Sequence, residues 1–168
     1  MKMVQNIRMG EIGVVRGSGT LRTLLGSCIG VVIQHPQARI AAMGHILLAN
    51  SQGNLDAPGR YVDTAIPEII RQLKSLARLE DRFVADISGG ADMFNVGTER
   101  TVGRLNIAAV IDVLVAHRIT IRSQDCGGKQ GRRMAVDVAT GLVTIERIPL
   151  LLPRIDDDRF SDPATVSV

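Results

Sequence analysis

Tryptophan is missing from this chain, and the other aromatics are scarce: one Tyr and three Phe in 168 residues. The core must therefore be aliphatic, built from Val, Ile, Leu, Ala and Met. Nucleic-acid modules that stack bases on exposed rings are disfavoured on the same ground. Charge is also short, with a formal net of only +3. That is too little to imply nucleic acid or an anionic membrane as a partner. Basic residues are scattered, apart from Lys129, Arg132 and Arg133. No apolar run approaches the roughly 20 residues of a membrane span. The opening MKMVQNIRMGEIG lacks the apolar centre of an export signal. Cysteine occurs twice, at Cys28 and Cys126. The expectation is a cytoplasmic protein without a stable disulfide, with no nucleic acid partner and no insertion into a membrane.

What is present suits one globular domain. Apolar content is 45% and charged content 22%, both ordinary for such a domain. The domain is expected over 1–150, with a loosely held tail over 151–168 that carries Asp156 to Asp158. Strands are expected at 11–16, 20–25, 29–34 and 39–48. The short PQA connection makes the last two a hairpin. Val62, Ala65, Ile66, Ile69, Ile70, Leu73, Leu76 and Ala77 form one apolar stripe at helical spacing. A strand at 82–87 runs into SGGADMF. A helix follows over roughly 99–117, apolar on most sides and so expected to be largely buried. Strands at 118–123, 133–139 and 142–147 complete the order, the last two as a hairpin across Thr140-Gly141. Strands outnumber helices and many are joined by hairpins, which reads as α+β.

The stretch TLLGSCIG places Cys28 after a Gly26-Ser27 turn, at the mouth of an apolar strand. A thiol of ordinary pKa is only a few per cent thiolate at neutral pH, so a nucleophilic cysteine needs a base. His35, His45 and His117 are the only histidines. His117 falls at a helix C-terminus and His35 in a turn before Pro36. His45 sits on the strand paired with that of Cys28, after the small-residue run AAMG. On spacing alone, a buried structural cysteine and a satisfied histidine remain the alternative. A zinc site from Cys28, His45, Asp125 and Cys126 lacks supporting CxxC or HxxxH spacing. DCGGKQGRR offers glycines and basic residues for a phosphate, without the order of a P-loop; tight turns are the plainer reading.

Five segments then add up. TLLGSCIGVVIQHP, GHILL, RYVDTAI, SGGADMF and DCGGKQGRRMAVDVATG occur in this order over roughly residues 10 to 147. This succession resembles the chemoreceptor glutamine deamidases, the CheD family of bacterial chemotaxis. The resemblance implies Cys28 as nucleophile and His45 as catalytic histidine. A threonine before the cysteine is the third member in the family. Some members carry it six residues ahead, where this chain has Arg22; Thr23 is the nearest equivalent. Strand alternation lets only one of these two face His45, and Thr23 is expected to do so. The chain also reads Val102-Gly103-Arg104-Leu105-Asn106 where members often read IG-x-RN, and has Cys126 where the loop tolerates several residues.

The resemblance further implies stacked β-sheets flanked by helices, as in deamidating bacterial toxins. It implies a hydrolase that converts glutamines of methyl-accepting chemoreceptors to glutamate, without cofactor or metal, and a CheC-type phosphatase as a further partner. Gly26 and Ser27 are expected at the substrate amide, with Gly89 and Gly90 as a wall of the cleft. Two other classes stay open at this point: a non-catalytic module that binds receptors or the phosphatase, and a cysteine amidase or protease with another substrate.

Overall fold

The computed structural model describes residues 2–77, 82–93 and 100–149. The expected tail over 151–168, and Phe94 of SGGADMF, lie outside the described residues.

Two sheets stack, and helices cover one of them. The strands are β1 (Val4–Asn6), β2 (Ile12–Arg16), β3 (Thr20–Leu25), β4 (Ile29–His35), β5 (Ile40–Ile46), β6 (Val84–Gly89), β7 (Thr120–Cys126), β8 (Arg132–Asp137) and β9 (Leu142–Arg147). The helices are α1 (Val62–Leu76) and α2 (Val102–Ala116). A four-stranded sheet has the order β1-β3-β8-β9, and a five-stranded sheet the order β2-β5-β4-β6-β7. This is the expected α+β class.

The aliphatic composition resolves into two cores, divided by the period-two alternation of β4 and β5. Ile29, Val31, Ile33, Ile40, Ala42 and Ile46 face the helices. Val32, Ala41 and Met43 face the other sheet, where they meet Leu21, Leu25, Met134 and Val136. Both strands are therefore apolar throughout, because both faces of the sheet are covered. The α1 stripe behaves as its spacing predicts up to Leu73, while Leu76 is exposed and Ala77 caps the helix end. Val62, Ala65, Ile66, Ile69, Ile70 and Leu73 are buried against the five-stranded sheet. Each large side chain so buried contributes roughly 1.5–3 kcal/mol.

Three elements differ from expectation. First, β1 pairs parallel with β3, Val4 to Thr20 and Asn6 to Arg22. Its three residues are all exposed, so no apolar pattern marks it. Second, β7 continues through Asp125 and Cys126 as a parallel partner of β6, so these two belong to a strand end rather than to the glycine loop. Third, α2 is not largely buried. Only Gly103, Asn106, Val110 and Leu114 are buried, while Val102, Leu105 and Val115 are exposed. The helix lies in the outer layer and covers the sheet with one face. Its start is set by Thr101, whose Oγ1 accepts from the Arg104 N–H at 3.3 Å, an ordinary N-cap.

Candidate active site

The site lies between the two sheets, at the end where β4 begins. In the β4–β5 ladder His45 is opposite Gly30. Cys28 is two residues before Gly30 and packs, half-buried, against the between-sheet core. His45 follows Ala41 and Met43 on that same face of β5. Cys28 and His45 are thus diagonal neighbours. Such positions lie about 7–8 Å apart in a regular ladder, within reach of long or ring side chains.

Thr23 comes from the facing sheet. It is 6% exposed, whereas Arg22 is exposed on the outer surface with its Nε donating to Asn6 Oδ1 at 2.6 Å. The Thr23 hydroxyl donates to the Ile7 carbonyl at 2.7 Å and lies 2.7 Å from His45 Nδ1. A hydroxyl has one proton. With that proton on Ile7, the oxygen accepts from an N–H at Nδ1, and the lone pair of the neutral ring falls on Nε2. The expected register therefore holds: Thr23 faces His45 and Arg22 does not share that contact.

Ile7 is a participant that no motif marks. Its carbonyl is placed by its own N–H, which donates to Arg22 O at 2.8 Å. The backbone of His45 is held by the same N-terminal segment, through Gly10 N–H to His45 O at 2.8 Å and His45 N–H to Glu11 O at 3.1 Å. Over the Thr23–His45 contact opens a cavity of about 670 Å³, lined among others by Ile7, Arg22, Thr23, Leu24, His45 and Arg133. On the other side of Leu24 an apolar groove of about 430 Å³ runs along Leu25, Gly26, Met93, Gly131 and Ile148.

The turn that carries Cys28 is pinned from behind. Gly26 O accepts from the Ala91 N–H at 2.9 Å and Cys28 O from the Gly90 N–H at 2.8 Å. Gly89 has φ +104°, and a Cβ there would sit 2.3 Å from Cys28 O. Close backbone approach is thus the reason for glycine at this position. Gly89 and Gly90 are both buried, and of the SGGADMF segment it is Met93 that borders the open groove. Asn106, which closes the stretch Val102-Gly103-Arg104-Leu105-Asn106, is buried under the same turn and donates to Ser27 O at 3.3 Å and to Leu47 O at 2.8 Å.

Burial governs both titrating groups. It pushes the Cys28 thiol up, partly offset by the residue's own backbone N–H. It pulls the His45 imidazole down, partly offset by the Ile7 carbonyl beside the ring. Both shifts favour the neutral thiol and neutral imidazole.

Cys126 lies elsewhere. It packs against the helix-side core, and burial pushes its thiol up to about 11. Beside it Asp125 is held below the usual carboxylate range by Arg147 and, less strongly, by Arg132. The buried Arg132 donates to Asp125, Gly127 O and Gln130 O. Its guanidinium holds the glycine loop together from inside, which is the tight-turn reading of DCGGKQGRR. Cys126→Ser should therefore keep most activity. Iodoacetamide should label Cys28 well before Cys126, since a thiol of pKa about 11 is roughly one part in ten thousand thiolate at pH 7. Peptide mapping after timed labelling reads the order. Faster reaction at Cys126, with loss of turnover in Cys126→Ser, would reverse the two roles.

Comparison with known proteins adds the following. The family described as CheD chemotactic sensory transduction matches residues 47–147. A protein of Methanococcus vannielii named probable chemoreceptor glutamine deamidase CheD is 37% identical over 147 residues, covering 86% of this chain and 96% of its own length. The chemoreceptor glutamine deamidase CheD of Thermotoga maritima is 34% identical over 147 residues, covering 87% of this chain and 93% of its own. The family match begins two residues after His45, so it reaches neither Cys28 nor His45. Among the described residues no helix is long and apolar enough to cross a membrane.

Proposed function

The chain belongs to the CheD family, and on that premise we propose that it deamidates glutamine side chains of methyl-accepting chemoreceptors in the cytoplasm, with Cys28 as nucleophile and His45 as base. The observation that carries the reading is the Thr23–His45 contact at 2.7 Å, in which the threonine proton is spent on Ile7 O. That arrangement leaves Nε2 as the basic nitrogen, on the face of the sheet that Cys28 shares.

The steps follow from these positions. His45 Nε2 takes the Cys28 proton as the sulfur attacks the carboxamide carbon. Coupling the transfer to attack suits a pair that is neutral at rest. The C=O π electrons move to oxygen, and the oxyanion is met by N–H donors of the Ser27–Cys28 turn. Neither residue's N–H has a backbone carbonyl partner among the described residues. The imidazolium returns its proton to nitrogen, the C–N bond breaks and ammonia leaves. His45 then takes a proton from water as the hydroxide adds to the thioester. The C–S bond breaks, the sulfur recovers its proton, and glutamate is released. Ser27, whose hydroxyl makes no hydrogen bond among the described residues, donates to the bound amide in this reading. Gly26 lets Met93 approach the turn, since a Cβ there would lie 2.8 Å from its sulfur. Gly89 and Gly90 hold the turn rather than touch the substrate. A CheC-type phosphatase is the second partner in this reading.

Intact-mass measurement of a receptor cytoplasmic fragment, with ammonia assayed in parallel, tests the reading. The expected result is a stepwise gain of the amide-to-acid increment with matching ammonia. Binding without ammonia would favour a non-catalytic module, and backbone cleavage would favour a protease; either overturns the proposal.

A further inference from the structure

We infer that Asn106 is a positioning residue for this reaction: its side-chain amide fixes the Ser27–Cys28 peptide so that the Cys28 N–H faces the cleft as the oxyanion donor. The inference rests on the deamidase reading and extends it to a residue on a helix outside the sheets.

Asn106 is 1% exposed, on the inward face of α2. Its two N–H groups go to two different carbonyls, Leu47 O at 2.8 Å and Ser27 O at 3.3 Å. Leu47 is the first residue after the strand that carries His45, and Ser27 is joined directly to Cys28. One side chain thus ties the base-bearing strand to the nucleophile-bearing turn. Its Oδ1 is buried with no hydrogen-bond partner among the described residues. Buried polar atoms are seldom left so, and an apolar residue of similar outline would avoid the cost. The amide nitrogen is what the position requires.

The peptide bond supplies the rest. In a trans peptide C=O and N–H point in opposite directions. Anchoring Ser27 O toward α2 therefore turns the Cys28 N–H away from the helix. That N–H has no backbone carbonyl partner among the described residues; it faces the Cys28 thiol itself, which puts it beside the sulfur at which the oxyanion forms. A hydrogen bond accepted by the carbonyl also polarises the amide and strengthens its N–H as a donor. The next carbonyl is fixed from the same helix: Cys28 O accepts from Gly90 N–H, and Gly90 rests on Gly103, where a Cβ would lie 2.3 Å from Gly90 O. Both peptides flanking the thiol are thus oriented by one turn of α2.

The test separates oxyanion support from general collapse of the turn. Alkylation of Cys28 by iodoacetamide forms no oxyanion, whereas deamidation does. Asn106→Leu should lower kcat for receptor deamidation about tenfold with KM little changed, less than loss of a direct oxyanion donor. It should alkylate at Cys28 within about twofold of the wild-type rate. Asn106→Asp keeps the outline, exchanges the donor nitrogen for oxygen, and should show the same split if the leucine variant does not fold. An unchanged kcat, or kcat and alkylation falling together, overturns the inference. No ammonia from the wild-type protein overturns the deamidase reading and this one with it, whereas ammonia from the wild type with an unaffected variant overturns this one alone.

Discussion

Cys28→Ala should fold like the parent and release no ammonia from receptor protein, a loss of about 10⁴-fold or more. Folding should survive because the turn is held by its backbone. Gly26 O and Cys28 O keep their bonds to Ala91 and Gly90 whatever the side chain. The sulfur is only half-buried, at the margin of the between-sheet core, so its removal should cost at most roughly 1 kcal/mol. Catalysis has no substitute: the other cysteine packs against the far core with its thiol at about 11. Thermal unfolding and peptide mass spectrometry of the receptor fragment decide the matter. Amide-to-acid conversion by the variant at the parental rate would end the assignment.

Thr23→Val has the next largest expected effect, a fall in turnover of about 10- to 100-fold, the range for removing a partner that orients a reacting imidazole. The volume hardly changes, so packing beside Leu21 and Leu25 is kept. Two bonds are lost, to Ile7 O and to His45 Nδ1. Without them only the Ile7 carbonyl remains beside the ring, a looser hold on its orientation and on the proton at Nδ1; full rate in both Thr23→Val and Arg22→Ala would mean that this carbonyl alone holds the base. Arg22→Ala should leave turnover nearly unchanged, since Arg22 is exposed and bonded to Asn6. Rates in the reverse order would contradict the observed register. The pH profile carries a further sign. Burial holds His45 below the ordinary imidazole value, so the neutral base persists as pH falls past about 6.5. The acid limb of kcat/KM should therefore lie below that pH, with activity lost as pH falls through the lowered pKa. A limb above 6.5 would mean that the base is charged more readily than its burial allows.

The parts of this site that local pattern governs were readable in the sequence. Hairpin length and apolar runs placed His45 on the strand paired with the one that Cys28 precedes; strand alternation let only one of Arg22 and Thr23 face His45, and the choice of threonine came from the family resemblance. The parts that depend on long-range meeting of backbone were not. Ile7 contributes a carbonyl, which has no side-chain signature, and it follows a three-residue strand with no apolar residue turned inward. Asn106 sits among apolar neighbours on α2, and its role appears only once Ser27 and Leu47 are brought beneath it. Misjudging the burial of α2 has a related cause. Composition says how apolar a helix is, but not how many layers surround it.

Thr23 and His45 belong to different sheets, so their contact, which the proposed mechanism uses, spans the gap between them. Facing sheets stand about 10 Å apart, a spacing set by the side chains between. Here those are Leu21, Val32, Met43, Met134 and Val136. They act as a spacer, and its thickness is a parameter of the enzyme's chemistry. Thinning it at Met134 or thickening it at Val32 would move the threonine relative to the imidazole by a fraction of an ångström. Turnover would register that before the melting temperature did. The packing of this aliphatic layer is thus subject to two demands at once, stability and gauge, and the second is the narrower.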